Sequence, residues 1–150
     1  GKVLSESTVA MKVIRKIDEI TSRKKYPAVS LELHPEVAAV LIGAGGEKLQ
    51  ELEDKFGIDI FISGNAELKY EDMIIEKGTK EDLQPEVLDL DAGDRITVKI
   101  EDQHASNENA GIARIDGYII IVNGAGNMVD NEIEIIIDDM HRTYARAHLA

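Results

Sequence analysis

Apolar side chains recur at helical spacing over the first stretch of the chain: Ala10, Val13, Ile14, Ile17 and Ile20 form one stripe, and polar residues fill the opposite face. Ser5 or Ser7 stands where it can cap this helix, and Arg23, Lys24 and Lys25 suit the negative end of its dipole. Residues 26–33 then alternate apolar and polar, the period of a half-buried strand. Pro35 falls where a helix accepts proline, and Val37, Val40 and Leu41 give that helix an apolar face. Glycines at 43, 45 and 46 interrupt it. Leu49, Leu52 and Phe56 mark the next helix, which Gly57 ends. Ile58, Ile60 and Ile62 place one face of a strand in a core, and residues 70–76 read as its partner. The predicted order is helix-strand-helix-helix-strand-strand, one helix layer on one small sheet.

Residues 78–92, GTKEDLQPEVLDLDA, combine glycine, proline and an acidic excess and read as a linker. Beyond it the texture changes to short strands at 95–100, 111–115, 118–122, 132–137 and 143–149, with Asp116-Gly117 as a two-residue hairpin turn. Five short strands suit a small closed barrel, which leaves no edge open to aggregation. The expected class is therefore α+β: an α/β small domain over 1–77, a linker over 78–92 and an all-β barrel over 93–150.

Composition narrows the function classes. No apolar run approaches the roughly 18 residues that span a bilayer, so no membrane partner is expected. The chain opens without a signal peptide and without an initiator Met, which points to a processed chain or an excised fragment. It has no cysteine, which excludes disulfides, thiolate metal sites and a cysteine nucleophile and fits a cytoplasmic location. The net charge of −12 is uneven. Residues 1–80 hold 12 Lys/Arg against 14 Asp/Glu, and residues 81–150 hold 5 against 15. That balance argues against tight non-specific binding to nucleic acid and leaves room for a short, shape-reading site.

The best candidate for such a site is Gly43-Ala44-Gly45-Gly46 with Lys48. Without a Cβ in the way, a sugar-phosphate backbone can approach the N–H groups that open the second helix, and Lys48 adds one charge. The same glycines also suit a plain helix–helix corner, and Ala44 and Gly45 supply no basic side chain inside the turn. A GxxG turn between two short helices, followed by an alternating strand, is the layout of a KH-type RNA-binding core, whose loop clamps about four nucleotides. On the barrel, Arg142, Tyr144 and Arg146 share one strand face, with Arg114 on another strand. They read either as a stacking platform for single-stranded RNA or as surface residues offsetting the carboxylates. His104, in the polar loop EDQHASNENAG, is a further RNA-contact candidate or a solvated loop histidine. Asp138-Asp139-Met140-His141 reads as a strand-end turn in preference to a weak cation site, and Glu51/Asp54 and Asp89/Asp91 as solvated carboxylates. His34, His141 and His148 show no ligand spacing, and no P-loop, GxGxxG or Ser-His-Asp signature is present.

Two resemblances enter at these residues. Gly93-Asp94-Arg95, Gly111-Ile112-Ala113-Arg114, Asp116-Gly117-Tyr118 and Arg142-Thr143-Tyr144-Ala145 make residues 93–149 similar to a TRAM domain, a small OB-like β-barrel attached to RNA-modifying and RNA-processing enzymes. GKVLSESTVAMKVIRKI and HPEVAAVLIGAGGEKLQELEDKFGIDIFI, with Tyr70, resemble the small domain that follows the catalytic part of ribonuclease E/G-type endonucleases. LIGAGGEKL is where this chain is more like a true KH domain than that family is.

The second resemblance implies a non-catalytic, C-terminal portion of a magnesium-dependent endoribonuclease. Its magnesium-binding carboxylates and zinc-linking cysteines would lie outside this chain, which needs no cofactor of its own. The expected partner is single-stranded RNA, bound at two weak sites on one tether. The rival expectation is a homo-oligomerisation or protein-interaction module with little RNA affinity, using the small domain and its amphipathic first helix as the contact surface.

Overall fold

The computed structural model describes residues 5–150; residues 1–4, the start of the ribonuclease-like segment, lie outside the described residues. The first helix, α1 (Glu6–Arg23), is capped by Ser5, whose hydroxyl accepts from the Thr8 N–H at 3.2 Å. Its stripe of Val9, Ala10, Val13 and Ile17 is buried, and the helix packs on the one that follows β1. The apolar face expected to meet another protomer is thus consumed inside the chain.

Strand β1 (Ala28–Leu33) leads through α2 (Pro35–Ile42) and α3 (Glu47–Phe56) to β2 (Asp59–Gly64) and β3 (Met73–Gly78). The sheet order is β2-β1-β3, with β2 parallel to β1 and β3 antiparallel to it. The last strand therefore pairs with β1, not with β2 as residues 70–76 suggested. The reason is topological: the α2–α3 crossover brings β2 back parallel beside β1 and leaves only the other edge of β1 free. Glu53 ties the crossover down, its carboxylate accepting from the Ile60 N–H at 2.9 Å. In the expected linker, Gly78 still belongs to β3, and α4 (Lys80–Leu83) forms one helical turn capped by Thr79.

The second half contains β4 (Arg95–Lys99), β5 (Asp102–His104), β6 (Asn107–Ile115), β7 (Tyr118–Asn123), β8 (Glu132–Met140) and β9 (Tyr144–Leu149). Their order is β4-β8-β9-β7-β6-β5. There are six strands here where five were expected. β4 and β5 follow one another across a bend: β4 pairs with β8 and β5 with β6, so this stretch curls the sheet toward closure. Val98, Ile100, Ala113, Ile120, Val122, Ile135, Ile137, Ala145 and Ala147 fill the interior.

The alternate residues do not face water. Ala110, Ile112, Ile119, Ile121 and Tyr144 join the core of the helical half, among Val37, Leu41, Ile42, Leu49 and Ile60. That is why Ile119 to Val122 is an unbroken apolar run: both faces of β7 are buried. The two halves share a core, which replaces the expected tether. Among the described residues no helix is long and apolar enough to cross a membrane.

Candidate nucleic-acid interface

The glycine joint is built by its two ends. Gly43 closes α2 at φ 86°, its N–H donating to the Ala39 carbonyl at 2.9 Å. Gly46 opens α3 at φ 84°, and its N–H donates to the Gly43 carbonyl at 3.1 Å. Both conformations lie in the region glycine alone occupies freely. The first bond into α3 runs from the Gln50 N–H to the Gly46 carbonyl, so the amides of residues 47–49 form the positive end of that helix. Lys48 is exposed beside it.

An anion already sits on this turn. Glu47 folds back so that Oε2 accepts from the Gly45 N–H at 2.8 Å, and its carboxyl lies over Gly43. The donor expected to hold a phosphate is engaged by the chain's own carboxylate.

Tyr144 and Arg146 of β9 are brought to this same joint, whereas Arg142 lies in the bend before β9, over β2. Tyr144 is only 7% exposed, its hydroxyl against Gly46 and its ring stacked on His141 at 4.4 Å between centroids. It is a packing residue and no open platform for bases, because its strand face is turned onto the helical half. Arg142 lies over the Phe61 ring, 5.9 Å from its centroid, and 4.0 Å from Asp59. Arg146 gives Nε and Nη2 to Asp139, at 3.0 and 2.5 Å, while Nη1 is turned toward Gly45. Hydrogen bonds from Arg146 hold the Asp139 carboxyl below its ordinary range, and Asp139 in turn raises Arg146.

Between the joint and β9 lies a cleft of about 390 Å³, lined in part by Ala44, Gly45, Asn107, Asn123, Asp138 and Arg146. It is wide and polar, and the guanidinium of Arg146 within it is paired with Asp139.

Two expected contacts belong elsewhere. His104 is 1% exposed, neither solvated nor available to RNA. Its Nδ1 accepts from the Ser106 N–H at 3.0 Å, so Nε2 carries the proton and donates to the Ala39 carbonyl at 2.9 Å. Burial keeps its pKa below the usual histidine value. His104 fastens the barrel to α2. Arg114 lies at the opposite end of α2, beside Gly64 and Pro35. It pairs through two nitrogens with Glu101, at 2.7 and 3.0 Å, and donates to the Asp116 carbonyl at 2.9 Å. With every branch engaged, it is an internal strut.

Asp139 also pairs with His141 at 2.9 Å and Asp138 with His148 at 2.6 Å; Asp138 to Met140 belong to β8, where its register against β9 shifts, and do not form the expected turn. Among the described residues no three His, Asp or Glu side chains converge as a metal would require. Sequence reasoning passed over Glu47 and weighed Asp139 only as part of a turn or weak cation site, not as the partner of Arg146. Their signal is only that each stands within reach of a singled-out residue, two residues from Gly45 and across a strand pair from Arg146.

Residues 1–78 match the family model described as "RNase E/G, Thioredoxin-like domain", and residues 91–150 match the model described as "TRAM domain". No curated protein matches the chain.

Proposed function

We propose, for a chain that belongs to the RNase E/G thioredoxin-like domain family and carries a TRAM domain behind it, the role of the RNA-binding portion of an RNase E/G-like endoribonuclease. The reading is of a C-terminal portion: a KH-like layout over 1–77, a connecting segment over 78–92 and the barrel over 93–150. The observation that carries it is convergence: Gly45 and Arg146, far apart in sequence, face the same cleft. A single strand of RNA would lie along that cleft, with one phosphate at the Gly45 N–H and Arg146 Nη1. Ala44 lines the cleft beside Gly45; Gly43 and Gly46 set the turn that presents them, and Lys48 stands exposed in the first turn of α3.

Because the carboxylates of Glu47 and Asp139 already neutralise the donors, the affinity is weak and the binding depends on salt. Among the described residues no donor set for magnesium or zinc converges, and no step is routed through either.

Fluorescence anisotropy of a short single-stranded RNA across a salt series tests the reading on the native chain, Gly45→Asp and Arg146→Gln. Micromolar binding that weakens with salt and falls at least about tenfold in both variants is the expected result, since each tenfold step is one charge-assisted contact of about 1.4 kcal/mol. Absence of binding to any RNA at low salt would overturn it. The net charge of −12 would then favour an assembly module, which light scattering over a concentration series would reveal.

A further inference from the structure

The seam between α2 and the barrel contains a carboxyl group in an unusual position. Glu36, in the first turn of α2, has its Oε2 shut off from water with no donor to satisfy it. A carboxylate oxygen left in that condition is costly, and a proton on the carboxyl removes the cost by turning an acceptor into a donor. The groups that face Glu36 are named easily. Asp102 approaches from β5 and Glu6 from α1, both within hydrogen-bonding reach of its side chain. His34, the N-cap of α2, accepts the Glu36 N–H on Nδ1 at 3.1 Å and is therefore neutral in this arrangement. Among the described residues the cation that acts on His34 is Arg114 of β6, which is occupied by Glu101. Glu36 thus faces, among the described residues, two carboxylates and no free cation. The same α2–β5 seam is crossed by the buried His104–Ala39 hydrogen bond, so it is a true packing interface between the halves.

We propose that Glu36 folds as a neutral carboxylic acid and donates its proton to Asp102, making this seam a latch between the helical half and the barrel that deprotonation loosens. The direction agrees with burial first, and Asp102 next, pushing the Glu36 carboxyl up to about 8 from its ordinary 4.5. A pKa raised in the folded state means stability that is complete below 4.5 and is lost as pH rises through about 8. His34 and His104 act with the opposite sign: burial lowers both, so their contribution is complete above 6.5 and lost at more acid pH. Between neutral pH and about 9 the histidines are silent and the loss belongs to the carboxyl pair.

Urea unfolding at pH 7 and pH 9 tests the latch on the native chain, Glu36→Gln and Asp102→Asn. The Gln amide keeps the shape and still donates to Asp102 without titrating, and the Asn removes the facing charge that discourages Glu36 from ionising. The native midpoint falls between the two pH values, and both variants show less than half of that fall. A merely structural role would shift the variants equally at both pH values and leave the difference intact. A native midpoint that does not fall, or variants that fall as far as the native chain, would overturn the proposal. RNA binding does not enter this measurement, so its outcome is separate from the proposed function.

Discussion

The hydroxyl of Tyr144 lies against Gly46 in the space where any other residue would carry its Cβ. One contact thus locks the opening of α3 to strand β9 and joins the two family-matched segments at their most glycine-rich point. Gly46→Ala meets two costs: about 1–2 kcal/mol for an L-residue in the left-handed region and about 1–3 kcal/mol for overpacking. Tyr144→Phe removes the nearest atom and relieves part of the second cost, because ring Cζ still lies 2.5 Å from that Cβ, and it leaves the first cost untouched. In a double-mutant cycle read by urea unfolding, the pair is therefore less destabilising than the sum of the singles, with a coupling of about 1 kcal/mol. Strict additivity would show that the hydroxyl moves aside freely and that the contact constrains nothing.

Glu47→Gln bears directly on the occupied turn. The amide oxygen still accepts from the Gly45 N–H, so the joint keeps its shape, but a charge that repels an incoming phosphate is gone. Removing a like charge at about 4 Å in a water-exposed setting is worth about 1 kcal/mol, or roughly fivefold in affinity. The RNA anisotropy assay on this variant should show that gain, and the gain should shrink at high salt. Equal affinity of native chain and variant would place the phosphate elsewhere than at Gly45.

Most elements were legible from their period, and the reasons for the misses are specific. The spacing of Ala10 to Ile17 and of Leu49 to Phe56 defines α1 and α3, because one buried face is enough to set a helical repeat. Strand alternation puts Tyr144 and Arg146 on one face of β9 but misplaces Arg142, which lies in the bend before that strand, and it carries no information about what covers the face. The clue was on β7: a strand apolar at every position from Ile119 to Val122 must be buried on both sides, so the barrel could not stand alone. His104 was misread because its neighbours are polar; a lone histidine pinned by a carbonyl 65 residues away leaves no local trace. Glu36 was missed for a similar reason, since its partners come from α1 and β5.

Tyr118→Phe should weaken the turn that presents β9. The phenol, just after the Asp116-Gly117 hairpin, donates toward the carbonyls of His141 at 2.7 Å and Tyr144 at 2.5 Å, bracing the chain where it enters the strand of Arg146. Losing this contact costs about 1–1.5 kcal/mol, and the ring still fills its space. Burial pushes the phenol up to about 12 from 10, so its contribution is complete below pH 10 and lost only as pH rises through about 12. Thermal or urea unfolding near neutral pH therefore shows the full difference between Phe and Tyr, with RNA binding reduced only as far as the turn loosens. A stability change below about 0.3 kcal/mol would mean that the bonds formed with water are as good.

Asp139→Asn separates the charge of Arg146 from its position. In the native chain the guanidinium donates two bonds to the carboxylate, whose pKa that same arginine holds below its ordinary value. That pairing contributes stability present above about 3.8 and lost as pH falls through the lowered value. The asparagine oxygen still accepts one N–H, so the side chain keeps its direction toward Gly45, but its charge is no longer cancelled. RNA affinity at low salt then rises, and the slope of log K against log salt steepens by up to about 0.7, the increment for one additional phosphate contact on a single strand. Stability near pH 7 changes little, because an exposed ion pair is worth about 0–1 kcal/mol. A rise in affinity without a steeper slope would mean that Arg146 acts through shape and not through a phosphate. A fall in affinity would mean that Asp139 is needed to aim the guanidinium, and that the native pairing is part of the binding geometry instead of a competitor to it.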